Sequence, residues 1–221
     1  MVRKAFTLIE LIFALVIMGV VFLTLPMILI NNSSNLERNL MQEAIFASST
    51  KMGQILTYHW DENSASNVGS IATSNVLETS GDSELGRSGT SYFRKGHIQQ
   101  DSHRRMDFNS STTKSSSTIG IEGLDDIDDF SGTYSTDLTG SVNGYKKDYN
   151  ITTTVTYVSD AALYSATNMT DFDFTTATAP GTTNLKMIEI TTYEIGKTSP
   201  ILKLRAYSAN IGEVDFYKRT Y

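Results

Sequence analysis

The chain has 221 residues, no cysteine, and 18 Lys plus Arg against 24 Asp plus Glu, for a formal charge of −6. That composition excludes disulfide frameworks, Cys-based zinc sites, iron–sulfur clusters and thiol catalysis, and it lacks the concentrated basic surface of a general nucleic-acid binder. The length suits one or two domains. Composition is uneven along the chain. From Ala5 to Leu36 the only charged residue is Glu10, and beyond it the sequence turns polar, with Ser and Thr throughout.

Met1-Val2-Arg3-Lys4 leads into an apolar run from Phe6 to Leu23 that only Thr7, Glu10 and Gly19 interrupt. Thr24 and Pro26 follow, then Met27 to Ile30. Phe6 to Ile30 is 25 residues, enough to cross a hydrocarbon core of about 30 Å. A soluble amphipathic helix needs a polar face, and none exists from Leu11 to Leu23. A secretory signal peptide has a shorter apolar region and a small-residue cleavage site. This run ends instead in Met27-Ile28-Leu29-Ile30-Asn31-Asn32, so the segment is expected to stay attached. Arg3 and Lys4 before the span place the N-terminus in the cytoplasm and export the remainder. Glu10 is the anomaly, because a carboxylate near the bilayer centre costs about 2.5–3.5 kcal/mol on insertion scales. Near the headgroups it costs little.

The run Arg3-Lys4-Ala5-Phe6-Thr7-Leu8-Ile9-Glu10-Leu11-Ile12 resembles the N-terminal signature of type IV pilins and type II secretion pseudopilins. Basic pair, small residue, Phe-Thr-Leu, Glu and apolar run all fall in register. The resemblance implies a leader containing Arg3 and Lys4, cut by prepilin peptidase between Ala5 and Phe6. It implies methylation of the new Phe6 amine and a filament-assembly role for Glu10. Its partners would be other pilin or pseudopilin subunits and an inner-membrane assembly platform. The implied location is the bacterial inner membrane, single-pass, with the C-terminal domain in the periplasm and the protein in a filament after assembly. Ala5 stands where Gly is usual, and Pro26 stands one position ahead of the Pro common in the family. A Pro there removes a backbone donor and loosens or kinks the helix.

The resemblance also gives Glu10 a physical role. Cleavage creates a positive amine on Phe6, with Glu10 one turn along, about 6 Å of rise. In a stack of subunits a neighbour's amine can neutralise Glu10 in apolar surroundings and set the axial register. This signature covers only about the first 30 residues.

From Asn32 to Tyr58 the pattern becomes amphipathic, with Leu36, Leu40, Ala44 and Ala47 at helical spacing and Met41, Ile45, Met52 and Leu56 beside them. Either one helix continues from Phe6 to Tyr58, or it breaks at Asn31–Asn35. Residues 61–114 read as long surface loops with one or two short strands, including Ile71–Leu77 and Tyr92–Ile98. Ser110–Thr118 is a low-complexity loop. Period-2 alternation then marks strands: Ile151, Thr153, Val155 and Tyr157; Ile188 and Ile190; Leu202, Leu204 and Ala206. Val214–Tyr217 reads as a short last strand. The expected fold class is α+β, a long N-terminal helix whose second half packs on a C-terminal antiparallel sheet. The expected divisions are 1–5 leader, 6–30 membrane helix, 31–60 amphipathic helix and 61–221 exported loop-rich β domain.

Asp125, Asp126, Asp128 and Asp129 cluster after Glu122. Clustered carboxylates can supply oxygen ligands to calcium, so Asp125, Asp126 and Asp128 form a weak calcium candidate. The spacing lacks the alternating ligands and closing Glu of a calcium loop, and a solvated acidic turn is the favoured reading. His97 and His103 flanking Asp101 lack the spacing of a helical zinc pair. Arg94, Lys95, Arg104 and Arg105 read as a local patch balancing the acidic surface, so a nucleic-acid partner is not expected. No nucleophile elbow, phosphate loop or HExxH occurs, and nothing orders Ser and His into a triad. The expectation is a structural filament subunit rather than an enzyme. Removing five residues from 221 leaves 216, and that size with a loop-heavy domain points to a minor pilin or minor pseudopilin. The alternative is a singly spanning anchored exported domain that binds a ligand and never polymerises.

Overall fold

The computed structural model describes residues 7–68, 71–74, 77–81, 119–121, 123–136, 147–159 and 175–211, with backbone alone for 65–68 and 71–74. Several expectations lie outside the described residues: Arg3, Lys4, Ala5 and Phe6, the pieces Tyr92–Ile98 and Val214–Tyr217, and the loop Ser110–Thr118. Outside them too are Glu122, the His97–Asp101–His103 group and the basic cluster Arg94, Lys95, Arg104 and Arg105.

Helix α1 spans Leu8–Ile55 and contains Pro26. It passes unbroken through Asn31–Asn35. Ser34 donates its hydroxyl to the Ile30 carbonyl at 2.8 Å, which ties a potential helix-breaking side chain back onto the helix. The chain divides into two compact units, Met1–Ile45 and Phe46–Tyr221, and the division falls within α1. In the first unit every large apolar side chain from Leu8 to Ile30 is exposed. The helix is long and apolar enough to cross a membrane, and none of its most apolar window is buried. A soluble core helix of this composition would bury that surface.

In the second unit, Ala47, Ser48, Met52 and Ile55 form the buried face of the last turns of α1, the spacing of one helical stripe. The helix closes with Thr57, whose hydroxyl donates to the Gln54 carbonyl at 2.6 Å. A short 3-10 turn, Glu62–Ser64, precedes the antiparallel pair β1 (Ala65–Val68) and β2 (Ile71–Ser74). A second 3-10 turn, Asp128–Phe130, leads to β3 (Gly132–Ser135). Then come β4 (Tyr149–Val158), β5 (Leu185–Glu194) and β6 (Pro200–Ala209). These four strands make one antiparallel sheet in the order β3-β4-β5-β6. β5 and β6 join through a tight turn in which Gly196 takes φ +82°, a conformation glycine adopts without a Cβ penalty.

Register explains the core. Ile151, Thr153, Val155 and Tyr157 of β4 stand opposite Thr192, Ile190, Ile188 and Lys186 of β5. Partners across a pair share a face, so these eight side chains line one surface, and all are buried. Ser48 of α1 meets Thr192 there, oxygen to oxygen at 2.6 Å. On the other face Val158, Leu185 and Met187 pack together with Tyr207. Further along that face Glu189 takes Lys203 and Arg205 at 2.7 Å each. The β4 alternation is borne out. β5 departs from simple alternation, because Leu185 to Ile188 are all buried and its two faces are both covered at that end.

The sequence places an α+β fold with an antiparallel sheet, and the structure has it. β3 was not anticipated. Its four residues, Gly-Thr-Tyr-Ser, are all exposed, so they carry no alternation to read.

Candidate functional site

Two places carry unusual chemistry. The first is the start of α1. Glu10 and Leu11 donate their backbone N–H groups to the Thr7 carbonyl at 3.0 and 3.2 Å. The Thr7 hydroxyl reaches Glu10 Oε2 at 3.4 Å. Thr-x-x-Glu is the sequence of a capping box, and Glu10 accordingly lies in the first turn, where the helix dipole favours a negative charge. Glu10 is exposed within an otherwise apolar surface, so it presents one carboxylate to whatever surrounds the helix.

The second place was misjudged from sequence. The acidic run is not a solvated turn: Asp126, Asp128 and Asp129 are buried, while Asp125 alone is exposed. Burial is tolerated because backbone donors converge on the carboxylates. Asp126 Oδ1 accepts from the Asp128 and Asp129 N–H groups at 2.9 and 3.4 Å. Asp129 Oδ2 accepts from Asp125 and Asp126 at 3.0 and 3.3 Å, and Asp128 Oδ2 accepts from Gly120 at 3.0 Å. Short acidic side chains commonly bind the backbone a few residues away in this manner.

Asp128 also holds the most unusual side chain of the domain. Lys186 is fully buried. Its Nζ donates to Asp128 Oδ1 at 2.5 Å and to the Trp60 carbonyl at 2.7 Å, and it lies 3.7 Å from Asp61 Oδ2. The same Nζ sits 4.7 Å from the Trp60 ring centre and 5.3 Å from that of Tyr157. These two rings meet edge to face at 6.0 Å. Tyr157 donates its hydroxyl to Asp61 Oδ2 at 3.5 Å, and the Asn63 N–H reaches Asp61 Oδ1 at 3.0 Å. A buried ammonium is thus met by two carboxylates, a carbonyl and two π faces, the compensation a buried charge requires.

Sequence reasoning missed Lys186, Asp61, Trp60 and Tyr157 as members of this cluster. One signal was present. Lys186 is in phase with Ile188 and Ile190, and Tyr157 with Val155, so strict period-2 reading puts both on the core face.

The calcium candidate can be placed. Asp125 is exposed, while Asp126 and Asp128 spend carboxylate oxygens on backbone donors and Lys186. Among the described residues no group of three or more His, Asp or Glu is arranged to hold a metal ion.

Burial, reinforced by the Asp128 charge, pushes Asp126 from the usual 3.8 up to about 7, against a smaller opposing pull from Lys186. The raised value means the folded chain holds this proton more tightly than the unfolded chain. The stability so gained is full below the unfolded value of 3.8 and is lost as pH rises through about 7. Asp126→Asn retains the acceptor oxygen and removes the charge. Relative to wild type, the variant is expected to gain on the order of 1 kcal/mol between about pH 4 and about pH 8. Urea midpoints at those two pH values check it, and a constant difference between the two proteins would contradict it.

Comparison with known proteins bears on the first place. Residues 1–25 match the family model for the prokaryotic N-terminal methylation motif, the prepilin-type signature of type IV pilins and pseudopilins. No curated protein and no solved structure matches the chain. Residues 1–25 thus carry a prepilin-type, type IV pilin-like motif, which leads into a helix long and apolar enough to cross a membrane.

Proposed function

We propose that this chain is a structural, minor subunit of a type IV pilus or a type II secretion pseudopilus. Prepilin peptidase cuts between Ala5 and Phe6 on the cytoplasmic side, and the Phe6 amine is methylated. The subunit waits in the inner membrane with its C-terminal domain in the periplasm, then enters the filament through the assembly platform. The observation that carries this reading is the N-terminal motif in residues 1–25 on a helix whose apolar side chains from Leu8 to Ile30 are all exposed. Such a surface is stable only in lipid or against other apolar helices. A bilayer and a bundle of like helices both satisfy it, so one segment can exchange one environment for the other.

Glu10 gives the exchange its register. Its partner in this reading is the Phe6 amine of a neighbouring subunit. A misaligned neighbour would leave a carboxylate unpaired in apolar surroundings, and removing one partner of a buried pair costs about 3–5 kcal/mol. The test is fractionation. A tagged chain expressed with its own assembly machinery should appear in sheared filaments. A chain found only in the membrane, while filaments form normally, would favour an anchored domain that does not polymerise.

A further inference from the structure

We infer that the Lys186 amine and the Asp128 carboxyl condense to an intramolecular amide, with Asp61 relaying the proton. The cluster has the parts this reaction needs. The nucleophile and the carboxyl are held in contact, Nζ to Oδ1 at 2.5 Å, with both side chains all but removed from solvent. The carboxyl carbon is one bond beyond Oδ1, so the amine is the carboxyl's immediate neighbour. Trp60 and Tyr157 wall the amine on their ring faces, so water is kept from the reacting atoms. A desolvated lysine amine is an effective nucleophile.

The ion pair and its neutral amine–acid form differ by one proton moved along that contact. From the neutral form the Nζ lone pair attacks Asp128 Cγ and the C–N bond forms. Gly120 N–H, 3.0 Å from Asp128 Oδ2, is placed to stabilise the negative charge that develops on that oxygen. Asp61, 3.7 Å from Nζ, takes a proton from the attacking nitrogen and passes it to the departing hydroxyl. The C–O bond breaks, and the products are one amide and one water. No oxidant, metal or cofactor is consumed, and Asp61 ends as it began. Tyr157 and the Asn63 N–H hold Asp61 in place from opposite oxygens.

The bond would close a span of 58 residues and tie β5 to the Asp128–Phe130 turn. A chain with no cysteine has no disulfide to do this. It is a covalent modification made by the fold itself.

The test is peptide mass spectrometry on the full-length protein, purified from membranes, then denatured and digested with trypsin. The expected result is a branched peptide joining the segments around Lys186 and Asp128, one water lighter than their sum, with no cleavage after Lys186. Asp61→Asn should leave most chains unlinked, and Lys186→Met should abolish the branched peptide. Normal cleavage after Lys186 in the wild-type protein overturns the inference, whatever the variants do, because it needs no variant to fold. A branch to Asp61 overturns the assignment of Asp128. Full linkage in Asp61→Asn overturns the relay.

Discussion

Glu10→Gln is expected to leave processing and membrane insertion at wild-type levels while reducing the protein in sheared filaments more than about tenfold. Insertion depends on the apolar run, and removing a charge makes that run more apolar. In the proposed reading, assembly depends on pairing Glu10 with a neighbour's Phe6 amine. Losing one partner of a buried pair costs about 3–5 kcal/mol, and each 1.4 kcal/mol is a factor of ten in association. Gln has nearly the shape of Glu and can still accept the Thr7 hydroxyl. The substitution therefore separates the charge from local helix capping. Glu10→Ala should fall as far if charge dominates, with a further loss of helix-start stability of about 1 kcal/mol or less. Immunoblots of membrane and sheared fractions measure both. Wild-type incorporation of Glu10→Gln would assign Glu10 to the capping turn alone.

Lys186→Met should be the most destabilising single substitution in the C-terminal domain. Met fills much of the same volume but leaves Asp128 and Asp61 without their shared cation in a buried space. Breaking a buried pair from one side costs about 3–5 kcal/mol, whereas replacing both partners with neutral groups costs far less. Lys186→Met with Asp128→Asn should therefore recover more than half of the loss. Neither variant can form the Lys186–Asp128 amide, so the cross-link's contribution is lost from both and the recovery concerns the buried charge alone. The chain's one tryptophan, Trp60, packs against this cluster, so its fluorescence during urea unfolding of the detergent-solubilised chain reports the effect. A shift of the size seen for an exposed lysine, within about 0.5 kcal/mol, would contradict the account.

The N-terminal half of this reading was legible because it rests on residue identity. A carboxylate at position 10 in a run free of other charges cannot be mistaken for packing, and the motif's residues are contiguous. The strands of β4 and β6 were legible because their alternation of Ile, Val, Thr and Leu with polar residues is local. β3 was invisible because all four of its side chains face solvent. The buried cluster was missed for a different reason. Four aspartates within five residues read as solvated until the fold supplies backbone donors and Lys186, which lies 58 residues from Asp128. Long-range compensation of a buried charge leaves no local trace beyond the phase of Lys186 with Ile188 and Ile190.

The central claim is that this chain is a processed, pilin-like filament subunit, and the mature N-terminus tests it most directly. Mass spectrometry of the native protein, taken from cells that carry its own peptidase, should find a chain beginning at Phe6 with a methylated amine. A membrane-inserted or filament-associated protein that still begins at Met1 would contradict the account, because the Phe6 amine proposed as the partner of Glu10 would then never be made.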